Sequence, residues 1–183
     1  MLTRSITQDL QGEDIGIIAP YAAQISLITR LLNANVAYRT RFEETLGPHR
    51  AMQLANIEIK TVDGFEGREK EVIIFSTVRN NAGGYIGFLA DRRRLNVGLT
   101  RAKRGLFVVG NISTLKAGKM SQGMTADGQT FARVGKGAQA WRRYAEFLNQ
   151  EKMVIQLNGD RLAKLLYGNM PRPKLVAMKT WTE

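Results

Sequence analysis

Short apolar runs alternate with amphipathic stretches along the first 115 residues of the chain. Residues 22–33 carry Ile25, Ile28 and Leu32 at helical spacing, which predicts a helix. Strands that alternate with helices favour an α/β fold with a mostly parallel central sheet and helices on both faces. The predicted strands are the four apolar runs with turn residues at their ends: DIGIIAPY, IEIKTV, EVIIFSTV and GLFVVGN.

A second helix is predicted between the third and the fourth strand. Asp91 is a suitable N-cap for it. Leu95, Leu99 and Ala102 lie at positions i, i+4 and i+7, so they would form the stripe that faces the sheet. Residues 35–56 have no clean period, and we expect them to form loop and short helix.

The composition changes after residue 115. The next stretch is rich in Gly, Ser, Lys and Thr, which predicts a flexible loop. Order is predicted to return with a helix that buries Ala138, Trp141, Ala145 and Leu148, followed by the strand MVIQL and the helix RLAKLLYG. The predicted segments are therefore an α/β core at 1–115, a flexible loop at 116–137, the closing helix, strand and helix of the same domain at 138–168, and a tail at 169–183.

Positive charge is concentrated in the second half of the chain. The net charge is +11, and residues 91–183 hold 18 of the 27 basic residues but only 6 of the 16 acidic ones. Such a field favours a polyanion such as nucleic acid as partner, although many basic domains bind none. The sequence has no cysteine, no signal peptide and no apolar run long enough to cross a bilayer. We therefore expect an intracellular protein, cytoplasmic or nuclear, with no membrane partner.

The stretch RLNVGLTRAKR, residues 94–104, places positive charge directly before an apolar strand. Asn96 and Thr100 lie on a different helical face from the apolar stripe, and Arg101 shares a third sector with Arg94. A solvated basic helix would produce this pattern. The alternative is that Arg101 points into a cleft toward phosphate oxygens, because guanidinium is permanently charged and offers a planar fork of donors.

Two other clusters follow predicted strands, where an open parallel sheet binds its ligands. The loop TVDGFEGRE, residues 61–69, combines two glycines with five charged side chains, but an ordinary polar turn has a similar composition. The stretch APYAAQ, residues 19–24, holds Pro20 and Tyr21. An exposed Pro-Tyr pair would offer a stacking platform for a base of a single strand, whereas a buried Tyr21 would only complete the core.

Three stretches together resemble one family. GIIAPYAAQ, IEIKTVDGFEGREKEVIIFSTVRNN and GFLADRRRLNVGLTRAKRGLFVVGN are similar to motifs IV, V and VI of superfamily 1B helicases, in the group that includes the Up-frameshift RNA helicase and senataxin. The resemblance runs from about Asp14 to Asn111 and resumes weakly at Trp141. It implies a RecA-like fold, and specifically the second RecA-like domain of a motor that moves 5′ to 3′ on single-stranded RNA or DNA. ATP with Mg²⁺ would be held mainly by an N-terminal RecA-like domain that this sequence lacks.

The resemblance also assigns roles to individual residues. Arg101 is implied to be the catalytic arginine finger. Gly67 and Glu69, with Arg101, are implied to bind the nucleotide, and the start of motif V is implied to couple the nucleotide to the nucleic acid. No metal ligand is predicted. The predicted nucleic-acid-binding residues are Pro20, Tyr21, Gln24, Thr61, Val62, Asp63, Asn96 and Thr100.

Parts of the family pattern are missing or changed. The chain has no phosphate-binding loop of the form G-x-x-x-x-G-K-[ST] and no Asp-Glu pair for magnesium, so we expect it to be inactive as an ATPase by itself. Glu66 stands where the family usually has Gln, and Gly98 where it usually has Ala. Two alternatives are a non-catalytic nucleic-acid-binding module and an interaction scaffold. The retention of Arg101 favours the helicase.

Overall fold

The computed structural model describes residues 10–119, 121–124, 130–133 and 135–157. The chain divides into two compact units, Met1–Met153 and Val154–Glu183. The described part of the second unit, residues 154–157, contains no helix or strand. The following description therefore concerns the first unit.

A four-stranded sheet in which all strands are parallel forms the centre of this unit, with the strand order β2-β1-β3-β4. The register places Ile17 beside both Ile59 and Ile74, and Ile74 beside Phe107. The prediction of an α/β, RecA-like fold with a parallel sheet is therefore confirmed. The strands are β1 (Ile15–Ala19), β2 (Glu58–Thr61), β3 (Lys70–Ser76) and β4 (Ala102–Val109).

Helices connect the strands and pack on both faces of the sheet. Within the described residues, the α-helices are α1 (Ala22–Ala34), α2 (Val36–Leu46), α3 (Pro48–Met52), α4 (Arg92–Thr100), α5 (Ile112–Ala117) and α6 (Lys136–Gln150). Short 3₁₀ turns occupy Gly12–Asp14, Gln53–Asn56, Asp63–Phe65 and Gly87–Ala90.

The prediction of mostly loop at 35–56 is wrong, because local end signals build two helices there. The side chain of Asn35 accepts a hydrogen bond from the backbone N–H of Tyr38 at 3.2 Å and so caps the start of α2. Gly47 has a φ of +81°, which ends α2, and Pro48 opens α3 at its first position. None of these signals depends on an apolar period, so a search for periodicity misses them.

The main core lies on the face of the sheet that α4 and α6 cover. Ile73 and Phe75 of β3 are fully buried there. Trp141 of α6 stacks on Phe75, with ring centroids 5.9 Å apart and an angle of 6° between the rings, and its indole N–H donates to the carbonyl of Leu89 at 2.9 Å. The predicted face of α6 is confirmed for Ala138, Trp141 and Ala145, which are fully buried, while Leu148 is half-buried.

Three boundaries differ from the prediction. Helix α4 ends at Thr100, and Ala102 is the first residue of β4 rather than the last residue of the helical stripe. The predicted loop at 116–137 contains an antiparallel hairpin of β5 (Ser121–Met124) and β6 (Thr130–Arg133). MVIQL forms no strand. The predicted helix RLAKLLYG and the predicted tail at 169–183 lie outside the described residues.

Gly98 has a packing role that outweighs its low helix propensity. An added Cβ would lie 3.1 Å from two ring atoms of Phe75, and Phe75 is held by its stack on Trp141. We expect Gly98→Ala to lower the free energy of unfolding by roughly 1 kcal/mol, since crowding costs about 1–3 kcal/mol and the gain in propensity is at most about 1 kcal/mol. Urea unfolding would measure this change. Asn96→Ala, at an exposed position of the same helix, is the control that we expect to be neutral or stabilising, and a more stable Gly98→Ala variant would contradict the crowding argument.

Candidate nucleotide and nucleic-acid interface

Helix α4 crosses the sheet from one strand edge to the other. It begins after the turn Gly87–Ala90, and its first turn contacts Asp63, which follows the carboxyl end of β2. At its other end, the carbonyl of Arg101 accepts a hydrogen bond from the N–H of Lys70, the first residue of β3, at 3.0 Å. Arg94 and Arg101 are seven positions apart, which is about 10 Å along a helix. The predicted site residues therefore fall into two groups, one at the carboxyl edge and one at the amino edge.

Arg94 forms the centre of the carboxyl-edge group. Its Nε and Nη2 donate to the two carboxylate oxygens of Asp63 at 3.0 and 3.1 Å, and its Nη1 lies 3.4 Å from Asp91, the N-cap of α4. Its guanidinium lies 3.6 Å from the ring centroid of Phe88. The hydrogen bonds to Asp63 raise the pKa of Arg94, and burial opposes them. The paired and stacked guanidinium thus fixes the motif V loop to the start of α4.

Arg79 belongs to the same group, and the sequence analysis did not single it out. Its Nε donates to the hydroxyl of Tyr21 at 2.8 Å, and its guanidinium lies 5.0 Å from the centroid of that ring. Tyr21 in turn packs against Phe88 at 5.9 Å. Contacts therefore run from Arg79 through Tyr21 and Phe88 to Arg94. The only sequence signal for Arg79 is its place directly after a strand.

A strained turn sets the direction of Arg79. Its backbone N–H bonds to the carbonyl of Thr77 at 2.7 Å, and Val78 between them has a φ of +64°. This geometry is a γ-turn, and for a β-branched residue it costs about 1–3 kcal/mol. Strain of this kind persists where the surroundings hold it, and here Arg79 is held on Tyr21.

The amino-edge group contains Gly67, Glu69 and Arg101. Gly67 has a φ of +74°, and the space where a Cβ would lie is open to 4 Å, so the backbone is free for close approach by a ligand. Glu69 is exposed and Arg101 is half-buried. The guanidinium of Arg101 donates to the carbonyl of Val97 at 3.2 Å and to the hydroxyl of Thr100 at 2.8 Å. Its own helix thus holds Arg101 in place at this edge.

Acidic side chains hold the other cations at this edge. Glu58 of β2 contacts Lys60, Arg68 and Lys70 at 2.9, 2.7 and 3.2 Å, and the hydrogen bond from Lys60 is the largest cause that lowers its pKa, with burial opposing it. Glu71 contacts Arg104 at 2.6 Å and Lys103 at 3.8 Å. Lys103 and Arg104 lie opposite Glu71 where the β3–β4 register shifts.

Comparison with known proteins identifies the family. A family model described as an AAA domain matches residues 1–113. The chain belongs to this family, the C-terminal RecA-like part of Upf-like superfamily 1 helicases.

Three relatives illustrate the match. The chain is 47% identical over 102 residues to the DNA polymerase alpha-associated DNA helicase A of Saccharomyces cerevisiae, a match that covers 56% of the chain and 13% of that protein. It is 43% identical over 113 residues to a regulator of nonsense transcripts 1 homolog of Drosophila melanogaster, covering 62% of the chain and 9% of the relative. It is 41% identical over 102 residues to helicase sen1 of Schizosaccharomyces pombe, covering 56% and 5%. The chain thus spans only a small part of the curated relatives that it matches.

The structure of this Upf-like domain does not expose every predicted nucleic-acid-binding residue. The side chains of Pro20 and Val62 are buried, so in this conformation only their backbone is available to a ligand. Thr61 is half-buried and accepts a hydrogen bond from the N–H of Gly64 at 3.2 Å. The sequence could not show this, because the apolar core that covers Val62 is built by residues far along the chain.

The remaining predicted residues of the Upf-like domain are accessible. Tyr21 and Gln24 are half-buried at the start of α1, and Asp63 is exposed. Asn96 and Thr100 are exposed on α4, where the hydroxyl of Thr100 donates to the carbonyl of Asn96 at 2.8 Å. Tyr21 and Asp63 are linked through Phe88 and Arg94, whereas Asn96 and Thr100 lie further along α4.

Two searches of the described residues found nothing. No three His, Asp or Glu side chains lie close enough together there to hold a metal ion. No helix in the same part of the chain is long and apolar enough to cross a membrane.

Proposed function

We propose that this chain is the C-terminal RecA-like half of an ATP-dependent RNA or DNA helicase, in which it supplies the arginine finger and part of the single-strand groove. The observation that supports the proposal best is the course of α4. One short helix carries Arg94, which is bonded to Asp63 at the carboxyl edge, and leads directly to Arg101 at the amino edge. A rigid element of this kind can transmit movement at one edge to the other.

The amino edge fits the phosphates of a nucleotide. Gly67 leaves room for close approach of an anion to the backbone, and Arg101 offers a planar cationic fork beside it. ATP with Mg²⁺, held mainly by an N-terminal RecA-like domain, would supply the phosphoryl group. Arg101 would stabilise the charge that develops on that group, and Glu69 would approach the ribose and phosphates. Glu66, which is exposed nearby, would repel a triphosphate.

The carboxyl edge fits a single strand of nucleic acid. Tyr21 offers a ring that is fixed by Arg79 and Phe88, and a fixed ring loses little entropy when a base stacks on it. The N–H groups of the 61–64 loop and the side chain of Gln24 would contact the backbone and bases. Because stacking and backbone contacts do not read the 2′-hydroxyl, RNA and DNA both remain substrates of this proposal.

Single-strand binding by the 183-residue chain tests this assignment. We expect weak binding of labelled oligo-U and oligo-dT, with an affinity that falls steeply as salt rises, because release of counterions dominates such binding. Tyr21→Ala should weaken binding by about 5- to 150-fold, the equivalent of about 1–3 kcal/mol for one stacked base. Fluorescence anisotropy over a salt series would measure both effects.

A charge variant and a ring variant serve as controls for this experiment. Arg143→Ala removes an exposed cation on α6 and should reduce the salt slope by no more than about one unit. Tyr21→Phe keeps the ring and removes the bond from Arg79, so it should retain most of the affinity. A flat salt response, or a Tyr21→Ala variant that binds like the parent chain, would remove the carboxyl edge from the proposal.

Phosphate release tests the nucleotide half. We expect the 183-residue chain to show no ATP turnover with or without single-stranded RNA, because the groups that cradle the β- and γ-phosphates are not in it. Turnover that survives purification and is lost in Arg101→Ala would contradict the half-motor assignment.

A further inference from the structure

One face of the sheet is covered over only half of its width. The register aligns Ile59, Ile17, Ile74 and Phe107 across this face, with the neighbouring Val109 on the same side. Helix α1 packs on the β1 and β2 half, where Ile17 is only 9% exposed. Over β3 and β4, Ile74 is half-exposed, Phe107 is 61% exposed and Val109 is 56% exposed. We call the patch of Ile74, Phe107 and Val109 the open face.

The open face lies beside a second unusual feature. Strand β4 is eight residues long and forms one edge of the sheet, and within the described residues its outer side pairs with no other strand. A parallel sheet is normally covered on both faces, and a long apolar edge strand invites association. Lys103 and Arg104 protect only the first part of this edge. The face and the edge therefore call for a common explanation.

The handedness of the connections supplies that explanation. The β1–α1–β2 connection moves toward the β2 side and lies on the same face as the open face, whereas the β3–α4–β4 connection moves the opposite way and lies on the other face. Both follow the right-handed rule for parallel strands. By the same rule, a helix that leads from a strand outside β4 into β1 must cross the face that carries Phe107. One strand followed by one helix would thus pair the edge of β4 and cover the open face.

We propose that the outer edge of β4 and the open face bind a strand–helix unit of the same polypeptide that precedes β1. The unit would consist of an apolar strand parallel to β4 and an amphipathic helix whose apolar stripe packs on Phe107 and Val109. Polypeptide for such a unit is available in the family, because the chain spans no more than 16% of the relatives that it matches. The proposal goes beyond the assigned function, since it requires neither ATP nor nucleic acid.

Hydrogen exchange of two products tests the proposal. One product is the 183-residue chain, and the other begins about 100 residues further upstream in the same reading frame, a typical domain length. We expect the amides of β4 to exchange at least about tenfold more slowly in the longer product. Equal exchange of β4 in both products, or a reading frame that encodes nothing upstream of residue 1, would overturn the proposal.

Substitution of the open face provides a second test. Phe107→Glu should lower the melting temperature of the longer product by about 5 °C or more and leave that of the 183-residue chain nearly unchanged. It should also reduce binding of the dye anilinonaphthalene sulfonate by the shorter chain only. Phe147→Glu, at a 49% exposed phenylalanine on α6, is the control that should affect both products equally. If the longer Phe107→Glu product does not fold, Phe107→Ser gives a milder version of the same comparison.

Self-association distinguishes a different occupant. Sedimentation of the 183-residue chain should show a monomer, or an association that disappears in the longer product because the unit then covers the face. A dimer that persists in the longer product and is abolished by Phe107→Glu would show that a second copy occupies the open face, which would overturn the proposal. None of these measurements depends on turnover or nucleic-acid binding, so the proposed function can fail independently.

Discussion

Replacing Arg101 with alanine in the complete two-domain motor is expected to lower the turnover number by about 10³–10⁵-fold, the range for arginine fingers in other nucleoside triphosphatases. The guanidinium is held at the amino edge by its own helix and is half-buried beside the backbone of Lys70. Folding should change by no more than about 1 kcal/mol, because the side chain forms hydrogen bonds only to neighbouring turns and fills no core position. Steady-state phosphate release and thermal unfolding would measure the two effects separately.

Two further substitutions define what Arg101 contributes. Arg101→Lys should rescue little of the rate, since an ammonium does not reproduce the planar fork. Arg104→Ala is the matched control, because Arg104 lies on the register shift of β4 and is paired with Glu71 at 2.6 Å. Equal losses of turnover in Arg101→Ala and Arg104→Ala would leave the arginine finger without support.

The parallel sheet could be predicted from the sequence because its signals are local and repeated. The third strand, EVIIFSTV, is a nearly continuous apolar run, as expected for a strand that is buried on both faces, and β3 does form the centre of the sheet beside β1. The stripe of Ala138, Trp141 and Ala145 on α6 is equally local, since helical spacing alone selects it. Patterns of this kind need no knowledge of the rest of the chain.

The candidate site could be predicted only in part, because its contacts join residues far apart in sequence. Arg79 bonds to Tyr21 across 58 positions, and Arg94 bonds to Asp63 across 31. No local pattern shows such pairs. The same limitation explains Val62, which reads as a motif residue but packs in the core.

The end of α4 was misjudged for a related reason. Ala102 continues the helical spacing of Leu95 and Leu99, so periodicity extends the helix to it. In the structure, the backbone of Arg101 bonds to Lys70 of β3 instead, and pairing with that strand begins at Ala102. Tertiary hydrogen bonding thus overrides the helical period at the position where the proposed arginine finger lies.

Trp141→Ala is expected to lower the free energy of unfolding by about 3–5 kcal/mol, the usual cost of removing a large buried aromatic side chain. Trp141 has no solvent exposure, stacks on Phe75 and donates a hydrogen bond to Leu89. The change would leave a cavity between α6 and the sheet and an unpaired carbonyl on the 3₁₀ turn before α4. Urea unfolding followed by circular dichroism would measure the loss.

The matched variants separate packing from hydrogen bonding. Trp141→Phe keeps much of the stack on Phe75 and loses the bond to Leu89, so it should cost less than Trp141→Ala, by an amount that reports how far packing dominates. Phe147→Ala, on the exposed side of the same helix, should cost about 1 kcal/mol or less. If Trp141→Ala unfolds at the same urea concentration as Phe147→Ala, then α6 does not close the core. In that case the stability of the unit must come from the sheet, α1 and α4 alone.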